Sequence, residues 1–580
     1  MVVTVLYGAL AAIPYWHLWN AGETRFAGIG ADVEEYAWFL HWVPSAILHG
    51  HNPLFTDWGN YPFGANGVTN TSLPALGILA SPLTFATNAF TSVTALFILA
   101  FPLSALGGYA LCRRFTTWRP AAFMGGLLYG FSPYMVGEGL GHLHLVFVPL
   151  PPLILLTFYE IATRRTRNTL WLLAAALVIV QFFISIEVLA TTLIVGAIGL
   201  VIACVLFPSG ARDRFRPVVT SLAKAGSVVA VVLAYPAWFF IAGPAHVSGV
   251  IQTTSLYRAD LLSPLVPNSM LHLNVPAWTA TTDTFAGALS ENGTYLGIPL
   301  IIVLVAGTVF LWRRVPMVRM VALVGLAAFV LSLGSRLVVW HHVTSVPLPE
   351  ALIEHLPLFD NAVSARYSLY LTLCAAVVVA MILDRIHAYY LTRDRGPHRT
   401  ASTRMAAWGV PVLLAVAVAI PLIPAWPYTL TTAQVPAYFT SSAVNAVPTG
   451  SVAVLYPSPS ASGSTSELWQ LASGLRFKTP AGHFVVPSPG NSAILPPFHS
   501  TLTTTALIDL ENGLPLAETP AIRAEILTQL DSWKVRSVLV AATGAKPELV
   551  IPYFEWLLGR PPDSRLGGIE AWYRSSHERW

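Results

Sequence analysis

Residues 30–42 read GADVEEYAWFLHW and place three carboxylates beside an aromatic run. The acids Asp32, Glu34 and Glu35 come shortly after an apolar segment that starts at Met1, and the aromatic residues behind them recur at helical spacing. Ionisable groups are costly inside a membrane and usually mark a functional site there. What this stretch does therefore depends on where it lies relative to a membrane.

The composition of the chain is that of a membrane protein. Of its 580 residues, 55% are hydrophobic and 10% are charged, whereas soluble domains average about 25% charged residues. So few charges cannot cover a soluble surface of this size, and lipid must solvate most of the chain. The net charge of +4 is small, and the basic residues form short clusters between apolar runs. We therefore expect no nucleic-acid partner. The three cysteines lie in apolar runs, which predicts no disulfide framework.

The apolar runs predict a polytopic α-helical protein with about eleven transmembrane helices, because a spanning helix needs about 20 mainly apolar residues. The predicted segments are 2–19, 92–112, 120–136, 143–162, 170–185, 188–207, 221–244, 296–312, 318–334, 366–384 and 406–425. The first segment lacks the basic residues and the small-residue cleavage site of a signal peptide, so we expect a retained helix.

Clusters of arginine predict the orientation of these helices. They are Arg113/Arg114/Arg119, Arg164/Arg165/Arg167, Arg212/Arg214/Arg216, Arg313/Arg314/Arg319 and Arg385/Arg393/Arg395/Arg399/Arg404. Positive residues mark the cytoplasmic side, and each cluster falls at every second connection. The N-terminus is therefore predicted to be cytoplasmic and the C-terminal segment extracytoplasmic. The preference for Arg over Lys is typical of a high-GC genome, which favours a bacterial plasma membrane.

With this topology, residues 20–91 form a large outer loop. Within it, Trp38, Phe39, Trp42, Val43, Ala46 and Ile47 recur at i, i+3 and i+4, while Glu34, Glu35, His41 and Ser45 take the opposite side. This pattern predicts an amphipathic helix that lies in the membrane interface.

Other residues capable of chemistry also fall on outer connections. They are Glu138, His142 and His144 in EGLGHLHL, Glu187 in ISIEV, Arg258 in YRADL, Glu291 and Tyr295 in ENGTYLG, and Arg366 at the start of a span. Charges near the middle of the spans are almost absent, whereas ion-coupled transport usually needs them. The chemistry of the protein is therefore expected at its outer face.

Residues 426–580 are predicted to form a separate outer domain beyond a transmembrane domain of residues 1–425. The runs 451–457 (SVAVLYP) and 535–541 (VRSVLVA) are typical of buried strands, and 520–533 (PAIRAEILTQLDSW) of an amphipathic helix. This order predicts a small extracytoplasmic α/β domain.

An acid in the first outer loop, a helix after it, about eleven spans and a C-terminal outer domain together resemble the GT-C superfamily of integral-membrane glycosyltransferases. The local strings are similar to those of a bacterial, actinobacterial-like branch: WFLHW, HGHNPLF, YPFGAN, NTSLP, LLYGFSPYM, GHLHL and ENGTYLG. The resemblance covers most of residues 28–385 and matches the C-terminal domain only loosely.

The resemblance implies that Asp32 is the catalytic base and that the donor is a polyprenyl-phosphate sugar. The family pattern has a second acid next to the first or one residue beyond its neighbour. Here Glu34, separated from Asp32 by one residue, takes that position as Glu rather than Asp. An acceptor hydroxyl must lose its proton as it attacks the anomeric carbon, and a carboxylate can accept that proton. We therefore expect an inverting glycosyltransferase at the outer leaflet, with a glycan, glycolipid or protein of the cell envelope as acceptor and membrane lipids around it.

Each candidate residue also has a plainer interpretation. Asp32 could cap a helix, and Glu34 and Glu35 could simply favour its N-terminus. His142 and His144 could bind a metal or donate to phosphate, or they could anchor the interface. The remaining candidate substrate ligands are Arg258 and Arg366 for phosphate, with Glu187, Glu291 and Tyr295. A divalent cation is a possible cofactor, but the sequence does not identify it.

Two functions of other classes compete with glycosyl transfer. A lipid or polyol transporter or flippase would act without catalysis, and paired repeats with broken helices at the midplane would favour it. A non-catalytic envelope-assembly protein could instead bind glycan with its outer domain.

Overall fold

A computed structural model describes the whole chain except residues 21–24, 164–168, 252–255, 355–360, 394–400, 459–464, 489–492, 495–500, 515 and 576–577. Of the predicted cytoplasmic arginines, Arg164, Arg165, Arg167, Arg395 and Arg399 lie outside the described residues.

The helices follow the apolar runs. They are α1 (Val2–Ala12), α2 (Ala31–Leu48), α3 (Pro74–Ala86), α4 (Ala89–Phe115), α5 (Arg119–Gly130), α6 (Pro133–Glu138), α7 (Leu143–Val146), α8 (Leu150–Thr163), α9 (Leu170–Phe182), α10 (Ile186–Leu206), α11 (Pro208–Ala242), α12 (Pro276–Thr282), α13 (Ile298–Leu311), α14 (Pro316–Ser332), α15 (Ser368–Arg393), α16 (Ala401–Ala419), α17 (Ala437–Thr440), α18 (Thr465–Ala472), α19 (Leu502–Glu511), α20 (Pro520–Ser532) and α21 (Pro547–Leu558).

The strands are short. They are β1 (Arg25–Ala27), β2 (Phe55–Thr56), β3 (Ala65–Asn66), β4 (Arg336–Val339), β5 (His342–Pro347), β6 (Leu430–Thr432), β7 (Val452–Tyr456), β8 (Val486–Pro487), β9 (Ala493–Ile494), β10 (Val535–Val540), β11 (Ser564–Leu566) and β12 (Ile569–Tyr573).

The protein is a multi-pass membrane protein. Six helical stretches of the described residues are long and apolar enough to cross a membrane: Ala89–Phe115, Leu143–Thr163, Ile186–Leu206, Pro208–Ala242, Ser364–Thr392 and Met405–Leu422. Five further apolar helices, α1, α3, α9, α13 and α14, are shorter. Every predicted segment overlaps a helix, but 120–136 is divided between α5 and α6, and 143–162 between α7 and α8. The helix in 2–19, α1, ends at Ala12. The apolar helix α3 arises inside the predicted outer loop.

The chain forms two compact units, which differ from the predicted division at residue 425. The first unit comprises Met1–Asn20, Ala95–Leu233 and Gln252–Thr429, and the second comprises Ala21–Thr94, Ala234–Ile251 and Leu430–Trp580. The first outer loop thus belongs with the C-terminal segment and not with the neighbouring helices of the chain. Strand β1 shows why, since it pairs antiparallel with β6, Phe26 opposite Thr431.

Helix α15 is the core of the first unit. It packs against α5, α14 and α16, and its residues from Leu369 to Leu383 are almost all buried. In the C-terminal half of this helix, Oδ1 of Asp384 accepts hydrogen bonds from the backbone N–H groups of Thr117 and Trp118 at 2.9 and 2.7 Å. These donors precede α5, whose free N–H groups need acceptors. Asp384 is therefore a structural acid of this unit.

In the second unit, a four-stranded sheet runs in the order β11-β12-β10-β7. Strands β7 and β10 are the two predicted buried strands, and they pair parallel, with Val538 opposite Val454. Helix α20 is the predicted amphipathic helix and places Ile526 and Leu530 in the core on one face of the sheet. Both strands and the helix of the predicted α/β order are thus present.

Helix α2 differs from the expected interfacial helix, because it is buried within the second unit. Its aromatic residues Trp38, Phe39 and Trp42 form a core cluster with Leu475 and Phe484 of the C-terminal segment. Glu34 and Glu35 are buried as well. An aromatic face can anchor a helix in the interface or pack against protein, and here it packs against protein.

Candidate active site

The N-terminus of α2 displays the acids of the GADVEEY stretch. The residue that caps the helix is Gly30, at φ = 96°, a conformation that residues with a Cβ rarely adopt. Asp32 therefore lies in the first turn and is not the cap. Its side chain is 49% exposed, whereas Glu34 and Glu35 are buried. The partial positive charge of a helix N-terminus favours all three carboxylates.

Two residues of the C-terminal segment complete a cluster with these acids. Nε2 of His483 lies 3.5 Å from Oδ1 of Asp32. The backbone N–H of the same histidine donates to Oε1 of Glu467. One ligand atom each from Asp32, Glu35 and His483 lies within 4.8 Å of the other two. An exposed carboxylate thus stands over a buried group of two further carboxylates and an imidazole.

The buried acids of this cluster hold protons more tightly than free carboxylic acids. Burial, and then the charges of Asp32 and Glu467, raise the pKa of Glu35 well above its ordinary value. Burial raises the pKa of Glu467 to about 7, although the charge and the backbone N–H of His483 oppose the shift. Strongly shifted acids are more common at functional sites than elsewhere.

A buried hydrogen bond fixes α2 to the segment that carries His483 and Glu467. Nε1 of Trp38 donates to Oε1 of Gln470 at 2.7 Å. Nε2 of Gln470 donates in turn to the carbonyl of Phe477 at 2.6 Å. The ring of Phe484 packs edge-on against Trp38 at 5.3 Å between centroids. Because Gln470 lies on the same helix as Glu467, this contact helps to set the position of Glu467 relative to α2.

His483 and Glu467 are the members of the cluster that the sequence did not predict. His483 is a single histidine in PAGHFVV, with no metal-ligand spacing around it. Glu467 opens a short helix, where an acid is ordinary. Only the tertiary contact with α2 gives these residues a role.

A second charged cluster lies in the first unit and gathers four of the predicted ligands. Nε of Arg366 donates to both oxygens of Glu291, at 3.2 and 3.0 Å, and Nη2 donates to Oε1 at 2.5 Å. Nη1 donates to Oε2 of Glu187. Nδ1 of His142 is 2.6 Å from Oε2 of Glu138 and 3.8 Å from Oε1 of Glu291. In the sequence these groups lie on three outer connections and at the start of a span, and in the fold they form one network.

Burial and neighbouring charges raise the pKa values of Glu138 and His142 in this second cluster. Burial, followed by the charge of Glu291, raises the pKa of Glu138 to about 7. Burial alone would lower the pKa of His142, but its hydrogen bond to Glu138 and the charges of Glu138 and Glu291 raise it to about 9. The imidazole is therefore held as a cation at neutral pH.

The other predicted ligands lie apart from these contacts or at their edge. The ring centroid of His144 is 6.2 Å from that of His142. Arg258 is partly exposed, and burial followed by the charge of Arg336 lowers its pKa. Tyr295 is buried. Arg366 already binds two carboxylates, so a phosphate would have to displace at least one of them.

The family of the chain is shown by its sequence. The model described as "Domain of unknown function (DUF6311)" matches residues 46–393, which is more than half of the chain. The chain belongs to this family. The matched region includes the second cluster and most of the first unit, and it begins after Asp32. No curated protein matches the chain.

Solved structures show the fold. The chain is similar to the arabinofuranosyltransferase AftD from Mycobacteria, with a TM-score of 0.54 and 14% identity over 99% of this chain and 40% of that one. For a mutant of AftD, the TM-score is 0.50 and the identity 14%, over 93% of this chain and 36% of that one. For ArnT from Cupriavidus metallidurans, the TM-score is 0.40 and the identity 12%, over 98% of this chain and 97% of that one. The chain thus spans about two fifths of AftD and shares its fold.

Proposed function

We propose that this protein is a glycosyltransferase that moves a sugar from a polyprenyl-phosphate donor to an acceptor of the bacterial cell envelope. The observation that carries the proposal is the position of Asp32, half exposed above buried Glu35, Glu467 and His483. A substrate can reach this carboxylate, while its neighbours hold it in place. The fold shared with a membrane arabinofuranosyltransferase supports the same reaction class.

Asp32 acts as the general base in this proposal. The acceptor oxygen attacks the anomeric carbon from the face opposite the phosphate, so the configuration inverts. The new C–O bond forms as the bond to the phosphate oxygen breaks, and its electron pair stays on the phosphate. The proton of the acceptor hydroxyl passes to Asp32. A phosphate leaving group needs no general acid, only donors or positive charge.

The second cluster is proposed to contribute to substrate binding. His142 is held as a cation beside Glu138, so it can donate to phosphate oxygens. His144, Arg258 and Tyr295 are the further candidate ligands. Glu187 and Glu291 fix Arg366 by ion pairs. In this arrangement Arg366 shapes the cluster, and direct binding of phosphate falls first to His142.

The reaction is proposed to occur on the outer face of the plasma membrane, with the N-terminus in the cytoplasm. The alternating arginine clusters support this orientation. A reporter fused after Arg404 should report the cytoplasm, and one fused after Trp426 the exterior. A cytoplasmic signal from the second fusion would contradict both the orientation and an outer-leaflet donor.

Asp32→Asn tests the assignment of the base. Asn keeps the shape of the side chain but cannot accept the proton, so transfer from a polyprenyl-phosphate sugar into membrane acceptors should fall by about 10²–10⁴-fold. Glu548→Gln is the matched control, because Glu548 is an exposed acid in the first turn of α21. It should transfer at the normal rate.

The outcomes separate the proposal from its alternatives. Near-normal transfer by Asp32→Asn at equal protein level would reject Asp32 as the base and make Glu34 or Glu35 the next candidates. Wild-type protein that transfers no sugar from any such donor would favour the transporter or flippase.

A further inference from the structure

The first unit contains a cavity between the end of α1, the end of α5 and residues 419–428. Its volume is about 280 Å³. A dry protein cavity of about 150 Å³ lined by Leu, Ile and Phe is large enough to bind benzene, so this one has room for a longer apolar group. Ile13 and Trp426 line the cavity and are about half exposed. The cavity therefore reaches the surface of the unit, where a ligand can enter.

The lining of this cavity is apolar, and none of the described residues in it is charged. Phe101, Leu127 and Phe131 line it together with Leu422 and Ile423. Such a surface favours a hydrocarbon chain over water. It offers nothing to a lipid phosphate, which binds to cationic side chains or to several hydrogen-bond donors. The cavity is thus unsuited to the phosphate of a polyprenyl-phosphate donor.

One polar group of the lining is left without a hydrogen bond. The hydroxyl of Tyr15 is buried and has no hydrogen-bond partner among the described residues, and the residue is only 2% exposed. Its ring packs edge-on against those of Tyr428 and Phe101, at 5.2 and 6.5 Å between centroids. A buried hydroxyl without a partner costs free energy. A ligand that brings a hydrogen-bond acceptor into the cavity would remove this cost.

Tryptophan side chains indicate the depth of the cavity in the membrane. Trp426 lines it, Trp16 directly follows Tyr15, and both side chains are exposed. Exposed tryptophans of membrane proteins concentrate at the level of the lipid headgroups. The ester groups of a phospholipid lie next to this level, where the headgroup meets the acyl chains. An acyl chain that enters the cavity therefore brings an ester carbonyl to the depth of Tyr15.

We propose that this cavity binds an acyl chain of a membrane phospholipid, whose ester carbonyl accepts a hydrogen bond from the hydroxyl of Tyr15. The lipid is a structural one, distinct from the sugar donor, so the proposal does not rest on glycosyl transfer. Its chain would contact α1, α5 and residues 419–428 together. The backbone N–H of Tyr428 donates to the carbonyl of Pro14 at 3.0 Å, and the bound chain would stabilise this junction.

Native mass spectrometry measures the binding. The full chain is purified in detergent, freed of lipid and titrated with dioleoylphosphatidylglycerol. We expect one tightly held lipid per chain. The lipid should also raise the midpoint of thermal unfolding, since a ligand that binds the folded state stabilises it. The ether-linked analogue with the same headgroup lacks the ester carbonyl and should bind more weakly, because an ether oxygen is the poorer acceptor.

Two variants test the hydroxyl and the cavity separately. Tyr15→Phe removes the hydroxyl, so it should weaken lipid binding by about two- to tenfold and leave the lipid-free protein as stable as wild type. Ala419→Phe adds a ring to a residue of the lining and should abolish the tight binding. Tyr389→Phe and Ala417→Phe are the matched controls, because both residues are exposed and lie outside the lining. Both controls should bind the lipid as wild type does.

Several results would overturn the proposal. They are a wild type that holds no lipid tightly, equal binding by wild type, Tyr15→Phe and Ala419→Phe, or a lipid-free Tyr15→Phe that is less stable than wild type. Displacement of the bound phosphatidylglycerol by an equal concentration of undecaprenyl phosphate would assign the cavity to the polyprenyl donor and reject a structural lipid. Tight lipid binding by a protein that transfers no sugar would keep this proposal and reject the proposed function.

Discussion

Nε2 of His483 lies 3.5 Å from Oδ1 of Asp32. One residue belongs to the first loop of the chain and the other to its C-terminal segment, so the candidate base is completed by a part of the sequence far from it. The contact joins the half-exposed carboxylate of Asp32 to a buried imidazole. It also makes the C-terminal segment part of the candidate active site rather than an independent appendage.

The ion pairs of Arg366 should be essential for the fold of the first unit. Arg366→Gln leaves Glu187 and Glu291 without their cation, and loss of one partner of a buried pair costs about 3–5 kcal/mol. Most of the variant should fail to fold, which detergent size-exclusion chromatography and thermal unfolding would detect.

Arg565→Gln is the matched control for this prediction, because Arg565 is 60% exposed where it pairs with Glu555 and Glu570. It should change the unfolding free energy by no more than about 0.5 kcal/mol. Normal folding of Arg366→Gln would contradict a structural role for the buried pairs.

The stability of the protein should fall as the pH rises from 6.5 to about 9. The folded state raises the pKa of His142 from 6.5 to about 9. The folded state therefore gains its full stabilisation from this imidazole below pH 6.5, the pKa of the unfolded state. It loses that stabilisation as the pH rises through the pKa of the folded state. The pKa of Glu138 is likewise raised on folding, from 4.5 to about 7. Its protonation therefore also stabilises the folded state, and this stabilisation is lost as the pH rises to about 7. Thermal unfolding midpoints measured across the window would show the decline.

His142→Gln is the variant that isolates this effect. It removes the titrating imidazole but keeps a side chain that can donate to Glu138, so its midpoint should depend less on pH over the same window. Equal pH dependence in the variant and the wild type would assign the decline to other groups.

The hydrogen bond from Trp38 to Gln470 should stabilise the second unit measurably. Trp38→Phe removes the indole N–H and leaves Oε1 of the buried Gln470 without this donor, which costs about 1–3 kcal/mol. Trp238→Phe is the control, because Trp238 is 52% exposed. The unfolding free energy of the Trp238→Phe variant should stay close to that of wild type. Thermal unfolding in detergent compares the two, and equal effects would mean that the bond to Gln470 is not what fixes α2.

Local patterns in the sequence were sufficient for much of the secondary structure. The predicted strands at 451–457 and 535–541 appear as β7 and β10, because a short run of β-branched residues between turns already specifies a buried strand. The apolar segments appear as helices for the same reason, since their length and hydrophobicity are local properties. The helix is broken within 120–136, where α5 ends at Gly130 and α6 begins at Pro133.

The sequence by itself determined which groups could perform chemistry, and only the tertiary structure decided which of them meet. Asp32 was identified because carboxylates are rare in so apolar a chain and are costly near a membrane unless they have a function. Glu467 and His483 carried no such signal, because a single acid or histidine in a folded segment is common. The burial of α2 could not be read either, since an aromatic face fits lipid and protein equally well. Contacts between distant segments depend on shape and on hydrogen bonds such as Trp38 to Gln470, and no local pattern encodes them.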